Sequence, residues 1–312
     1  MTTDLLAAID IGGTKIAGAV LDAEGTLLER VQRPTPARES GEVVLAAVTE
    51  VVAALAAGPH WPGVRAVGVG SAGPVDARAG TVSPVNIPAW RGFPLVDGVR
   101  KAAGGLPVTL VGDGPAIAAG EHWKGAARGC DNALCMVVST GVGGGLILDG
   151  ALRAGPTGNA GHIGHISVEL DGDPCPCGGR GCVEGIASGT AIARWAREQG
   201  WRPDGPDARA DAAALAAAAR LGDALAIAAY RRSGRALAAA IAATATLVEL
   251  DTVVIGGGVG QAGEVLFGPL RESLAEYAAL PYVRGLRVRP AELGTDAGLV
   301  GAAAACRAVP RV

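Results

Sequence analysis

Cys175, Cys177 and Cys182 form a C-x-C-x4-C cluster, and His165 closes the run Gly161-His162-Ile163-Gly164-His165 just upstream. Three thiolates and one imidazole make a tetrahedral structural zinc set, with no position left for a catalytic water. Gly178, Gly179 and Gly181 let such a loop wrap an ion. The alternative is a loop of reduced cysteines without metal. Six cysteines in 312 residues are not a disulfide framework, and clustering of this kind in a reducing compartment points to metal. Cys130, Cys135 and Cys306 stand among apolar residues and read as packing groups.

A second chemistry is anion binding. Asp10-Ile11-Gly12-Gly13-Thr14-Lys15 lies between two apolar runs. Gly12 and Gly13 allow a tight turn whose amide N–H groups face an anion, Thr14 adds a hydroxyl, and Asp10 can hold Mg2+ through water. Ser139-Thr140-Gly141-Val142-Gly143-Gly144-Gly145 has the same strand-turn-strand setting. This second element is not a Walker A loop, because no Gly-Lys-Ser/Thr opens a helix, and not a dinucleotide fingerprint, because a strand follows it. A third cluster, Gly256-Gly257-Gly258, suits close approach of a nucleotide base or ribose, and equally a plain strand-to-helix turn. Two phosphate-type turns on two halves suit a nucleotide clamped between them.

Asp113 ends the apolar run Pro107–Gly112 and opens a helical stretch through Ala118, Glu121 and Trp123. A carboxylate projecting from a strand end into a cleft has the placement of a general base, and it also has that of a helix N-cap.

These groups need a scaffold. Residues 5 to 33 read as three short strands with a turn at Glu24-Gly25, followed by a helix over about 39–57 and a strand Arg65–Gly73. A loop with Asn86-Ile87-Pro88-Ala89-Trp90, a short helix near 94–104 and the strand ending at Asp113 complete the first half. The pattern of apolar strand, glycine-rich turn and apolar strand then repeats from Ala133. The Ala-rich stretch 203–250 is expected to be helical. A strand Thr252–Gly258, a helix over about 262–280, a strand near 285–293 and a last helix capped by Thr295-Asp296 follow.

The composition agrees. With 49% hydrophobic, 18% charged and only 3% aromatic residues, the interior is built from Ala, Val, Leu and Ile, as in α/β proteins. A length of 312 residues suits two domains with a cleft, and a net charge of −3 gives no general attraction to nucleic acid or anionic membrane. Met1 to Leu6 show no basic region leading into a signal core, and the longest apolar runs are broken by Gly, Asp or Arg, so a cytoplasmic protein is expected.

Taken together, DIGGTK, STGVGGG and the segment from GHIGH to GCVE resemble the ROK family of sugar kinases, within the hexokinase and actin superfamily; the match runs from Leu6 to the last helix with its motifs in family order. The resemblance implies two actin-like (ribonuclease H-like) α/β domains with a structural zinc loop, one formed by residues 1–118 plus 296–312 and the other by 119–295. It implies an ATP-dependent enzyme with Mg2+ and structural Zn2+, and Asp113 as the catalytic base. Cofactor contacts fall to Asp10, Gly12, Gly13, Thr14, Lys15, Thr140, Gly141, Gly143, Gly257 and Gly258, and zinc ligands to His165, Cys175, Cys177 and Cys182. Sugar contacts fall to Gly73, Asn86, Asp113, His162, His165 and Glu184, with zinc fixing one ring nitrogen of His165 so that the other faces a hydroxyl. Asn86 is also compatible with an ordinary turn.

Departures from the family pattern bear on the substrate. The usual Asn-Asp-Ala-Asn reads Gly112-Asp113-Gly114-Pro115, and His162 replaces the Glu of Gly-Glu-x-Gly-His. The resemblance implies glucokinase first, with an N-acetylmannosamine or other N-acetylhexosamine kinase as the alternative, and a homodimer or homotetramer. Different classes are a silent sugar-binding protein and a regulator, the latter needing a helix-turn-helix ahead of the first phosphate turn, where only nine residues precede Asp10.

Overall fold

The computed structural model describes residues 4–203 and 209–307. The expected domain ends at 1–3 and 308–312, and the part of the Ala-rich stretch at 204–208, lie outside the described residues.

Two five-stranded sheets carry the fold, and they have the same construction. In the first, β1 (Leu5–Ile11), β2 (Lys15–Leu21) and β3 (Leu27–Pro34) form an antiparallel meander, and β4 (Val64–Ser71) and β7 (Val108–Gly112) add in parallel, in the order β3-β2-β1-β4-β7. In the second, β8 (Ala133–Val138), β9 (Val142–Leu148) and β10 (Ala151–Leu152) are antiparallel, and β11 (Thr252–Gly256) and β12 (Arg287–Pro290) are parallel, in the order β10-β9-β8-β11-β12. The repeated strand-turn-strand pattern in the sequence is therefore a repeat of topology. A two-stranded ribbon, β5 (Val75–Asp76) with β6 (Thr81–Val82), leaves the first sheet after β4 and has no counterpart in the sequence reading.

Both faces of the central strands are covered, which is why they read as continuous apolar runs. Side chains alternate across a strand. Ala7, Ile9 and Ile11 pack with Val44, Val48 and Val51 of α1 (Gly41–Ala56), while Leu6 and Ala8 pack with Leu299, Val300 and Ala303 of α9 (Ala297–Arg307). In the second sheet Leu134, Met136 and Val138 face α7 (Ala224–Val248) and α8 (Glu264–Tyr277), and Ala133 and Cys135 face Ala118 of α3 (Asp113–Lys124). Cys130, Cys135 and Cys306 are buried, as a packing role requires.

The Ala-rich stretch forms two helices, α6 (Ala212–Arg220) and α7, because Gly222 breaks the first and the Asp223 carboxylate caps the second through Ala226 N–H. The sequence reading passed over α4 (Glu184–Ala187) and α5 (Gly189–Glu198), whereas α2 (Leu95–Ala102) falls inside its expected span. The cap expected at Thr295-Asp296 does not form. Those residues lie in a 3-10 turn that runs straight into α9, and the Asp296 carboxylate instead takes the Arg30 guanidinium at 2.6 Å. No single helix among the described residues is long and apolar enough to cross a membrane.

Helix α9 packs on the first sheet and α3 reaches the second through Ala118, and the two helices cross with their backbones in contact. A Cβ on Gly301 would collide with the Ala116 carbonyl of α3, so only glycine fits there. Gly301→Ala is expected to push α9 away from α3 and to lower stability by about 1–3 kcal/mol, the usual cost of overpacking, read as a drop in Tm by thermal denaturation.

Candidate active site

The carboxyl ends of β1 and β7, the β8–β9 turn and the start of α9 converge on a cleft of about 570 Å³. Its lining includes Asp10, Gly12, Lys15, Asn86, Asp113, Ser139 and Gly257, groups from all three glycine-rich segments. Asp10, near the end of β1, has its carboxylate against Gly298 in the first turn of α9. Asp113 follows β7 as the first residue of α3. Gly112 takes the cap position in extended backbone, so the N-cap alternative for Asp113 is not realised; its Oδ1 accepts the Gly114 N–H at 2.7 Å and the side chain opens to the cleft.

Electrostatics tie these carboxylates together. The cleft walls displace water, and this desolvation, reinforced by the charge of Asp113 and opposed by Lys15 and Arg30, pushes the Asp10 pKa up to about 6. Desolvation also raises Asp113, against the Gly114 N–H and the charge of His162. A desolvated acid raised further by the charge of a second acid is a setting in which a divalent cation is favoured, since its charge offsets the cost of ionising it.

The Asp10–Lys15 turn is closed by Gly12 N–H to Lys15 O at 3.0 Å, and Thr35 braces it, its hydroxyl donating to Gly12 O at 2.7 Å and its N–H to Thr14 O at 3.1 Å. Asn86 lies over this turn, its Nδ2 2.8 Å from where a Cβ on Gly13 would stand. The loop bearing Asn86 is anchored by Trp90, whose indole N–H donates to Gly41 O, and by Arg91, which binds the Pro84 and Trp90 carbonyls.

The second turn is held from α4 and α5. Gly189 N–H donates to Ser139 O, Thr190 Oγ1 donates to Thr140 O, and Glu184 Oε2 accepts the Val142 N–H at 2.9 Å. Glu184, expected beside a sugar, thus has one carboxylate oxygen engaged on the phosphate-type turn. Gly257 sits at φ +87, and a Cβ there would strike the Val138 carbonyl, so the third glycine segment packs directly on the second. A further pocket of about 410 Å³, lined by Ser139, Thr140, Thr190, Arg197, Asp211 and Gly258, continues from these turns.

The thiols and imidazole meet as the sequence predicts. Ligand atoms of His165, Cys175, Cys177 and Cys182 lie within 4.8 Å of one another. Cys177 Sγ is 3.7 Å from Cys182 Sγ, and Cys175 Sγ is 3.9 Å from His165 Nδ1. Two thiolates at about 2.3 Å from a tetrahedral ion stand about 3.8 Å apart, so these residues fit Zn2+. The Gly179 N–H holds the Cys177 thiol below the usual range, while burial pushes Cys182 up to about 12. Binding through Nδ1 leaves His165 Nε2 on the opposite side of the ring. His162 stacks beside it at 6.3 Å between ring centroids, and its Nε2 lies 3.5 Å from where a Cβ on Gly73 would stand.

Sequence reasoning missed Thr35, Asn159 and Glu121. Glu121, fully buried on α3, accepts Ala126 N–H and Glu292 N–H at Oε2 and Leu293 N–H at Oε1, joining α3 to the segment that leads into α9. Their partners lie too far along the chain for any local pattern to show.

A family model described as "ROK family" matches residues 6–309. The chain is 38% identical to a glucokinase of Thermotoga maritima, covering 96% of each protein. It is 39% identical to an N-acetylmannosamine kinase of Yersinia pseudotuberculosis, covering 96% of this chain and 98% of that one. A crystal structure of a glucokinase of the same family from Streptomyces griseus, in complex with glucose and AMPPNP, superposes with a TM-score of 0.81 at 37% identity, covering 96% of this chain and 98% of that one.

The thiol geometry predicts one zinc per chain by elemental analysis, and Cys182→Ser is expected to lose the metal and lower Tm. Asp10 generates a pH effect. Its native pKa of about 6 lies above its ordinary value of 3.8, so the native state binds the proton more tightly and its stability falls as pH rises from about 4 to about 6. In magnesium-free buffer, Asp10→Asn is expected to match the parent protein near pH 4 and to exceed it by on the order of 1 kcal/mol at pH 7, after discounting for solvent screening, as measured by thermal denaturation.

Proposed function

Because the chain belongs to the ROK family, we propose that it is an ATP-dependent sugar kinase, with glucose as its first substrate and Asp113 as the general base. The observation that carries this reading is the convergence of Asp10, Asp113 and two braced phosphate-type turns on one cleft, with the charge of His162 acting on Asp113. The duplicated sheets support a division into lobes of residues 1–118 plus 296–312 and of 119–295, with the sugar and nucleotide between them.

In this reading the sugar lies between Gly73, Asn86, His162, His165 and Glu184, with its reacting hydroxyl on Asp113. A desolvated carboxylate is a stronger base than one in water, and it takes the hydroxyl proton as the oxygen attacks the γ-phosphorus, whose bond to the β–γ bridging oxygen breaks and releases ADP. Gly12, Gly13, Thr14 and Lys15 on one side, and Thr140, Gly141 and Gly143 on the other, bind the phosphates through N–H and hydroxyl groups and the Lys15 cation. Mg2+, held by Asp10 through water, neutralises phosphate charge when bound. Gly257 and Gly258 border the pocket suited to the base. The zinc loop fixes His165 Nδ1, so its Nε2–H donates to the sugar.

His162 is the specific reason to hold an N-acetylhexosamine, N-acetylmannosamine above all, as the second reading. An imidazole in place of a carboxylate changes which sugar substituent is satisfied, and unpaired polar groups in a closed pocket discriminate strongly. The reading also takes the protein to be cytoplasmic and a homodimer or homotetramer, for which the exposed Leu247, Leu280 and Tyr282 offer apolar surface.

A coupled ADP-release assay with MgATP against glucose, mannose, N-acetylglucosamine and N-acetylmannosamine tests it. Turnover with one sugar is expected, falling by about 10²- to 10⁴-fold in Asp113→Asn. Sugar binding without turnover by the parent protein would make the chain a silent binder and overturn the kinase reading.

A further inference from the structure

Asn159 lies in the segment between β10 and His162, and its side chain reaches Val75 of the β5–β6 ribbon, 84 positions away. Its Oδ1 accepts the Val75 N–H at 3.0 Å and its Nδ2 donates to the Val75 carbonyl at 2.6 Å. A primary amide pairing with both polar groups of one residue reproduces what a neighbouring strand does. The backbone continues the pairing, since Ala77 N–H donates to Thr157 O at 2.9 Å. The 157–159 segment, which follows the second sheet in the chain, is thereby laced to a ribbon that follows β4 of the first.

The same residue reaches His162. The Asn159 carbonyl is 2.7 Å from His162 Nδ1. A carbonyl only accepts, so Nδ1 carries a proton, and Nε2 is the nitrogen directed at Gly73. The laced segment also passes the base, for the Gly158 carbonyl lies 3.4 Å from where a Cβ on Gly112 would stand, immediately before Asp113.

The geometry points to Asn159 as a positioning residue for the sugar: its side-chain amide fixes the 157–162 segment on Val75, and so sets Nε2 of His162 against Gly73. This deepens the kinase reading and rests on it. The amide is half-buried and touches neither phosphate turn in the contacts given above, so its loss should act on the sugar and leave the nucleotide alone.

The test compares the parent protein with Asn159→Ala and Asn159→Asp, and with Thr157→Val as a control, since Asn159 Nδ2 also meets the Thr157 hydroxyl at 3.1 Å without that contact crossing to Val75. Hydrogen–deuterium exchange is read over 73–77 and 157–162, beside the KM values for sugar and ATP, Tm and zinc content. In Asn159→Ala, exchange is expected to rise in those two segments and the sugar KM to rise about 5- to 150-fold, the range spanned by two net hydrogen bonds. The ATP KM and zinc content should stay unchanged. Asn159→Asp, which keeps the acceptor for Val75 N–H and loses the donor, should fall between, and it carries the test if the alanine variant does not fold. Thr157→Val should match the parent.

Unchanged exchange at 73–77, an unchanged sugar KM despite faster exchange, or a joint rise of both KM values with a lower Tm would each overturn the inference. If the parent binds a sugar without turning it over, the kinase reading fails by itself, and the sugar Kd from tryptophan fluorescence replaces KM. Weaker sugar binding in the alanine variant then sustains the role of Asn159, and equal binding removes it. If the parent neither binds nor turns over any sugar in the panel, the positioning role falls too.

Discussion

The crossing of α3 and α9 sets the geometry on which everything else rests. Each helix begins at a carboxylate of the cleft, α3 with Asp113 and α9 beside Asp10, and their backbones touch at Gly301 and Ala116. One side of the pair covers the first sheet through Leu299, Val300 and Ala303, while Ala118 of α3 enters the core of the second. Glu121 adds a buried polar tie between α3 and the segment entering α9, with three N–H groups satisfying its two oxygens. A buried carboxylate shared in this way is costly to leave unpaired, so the two helix starts, and with them the two acids, keep a fixed separation.

That fixed separation explains the electrostatic character of the cleft. Asp10 and Asp113 each lose water to the surrounding walls, and Asp10 also feels the charge of Asp113, so the protein without ligands holds an arrangement that disfavours ionised Asp10. Stability given up at a site of chemistry in this manner is common, because the same preorganisation is what stabilises charge when substrate and metal arrive. The braces on the turns serve the same end. Thr35 on one side, and Glu184, Gly189 and Thr190 on the other, consume backbone carbonyls and flanking amides, leaving the turn geometry set before any phosphate is present.

Much of this was legible in the sequence, for reasons that differ from group to group. The residues of the candidate metal site could be named because three of the four lie within one short loop, and they do come together. The phosphate-type turns could be named because strand-turn-strand chemistry is local. The Ala-rich stretch was read as helical but not as two helices, since Gly222 and Asp223 act together as a stop and a start. Asp296 was misread as a cap because Arg30, which claims its carboxylate, lies on β3 and is far away in the chain. Glu184 shows the same limit, as its hydrogen bond to Val142 depends on how α4 packs under the turn.

By itself the sequence determined the α/β class, the repeat of one topological unit, the Cys/His cluster of the candidate metal site and the residue types of the glycine-rich turns, because each is written in spacing over a few residues. Only the tertiary structure decided that Asp10 and Asp113 share one cleft, that Gly112 and not Asp113 caps α3, and that Asn159 grips Val75 and orients His162. Those facts turn on which strand ends lie side by side and which loops meet across the cleft. Contact at such distances along the chain follows from packing, and no local pattern encodes it.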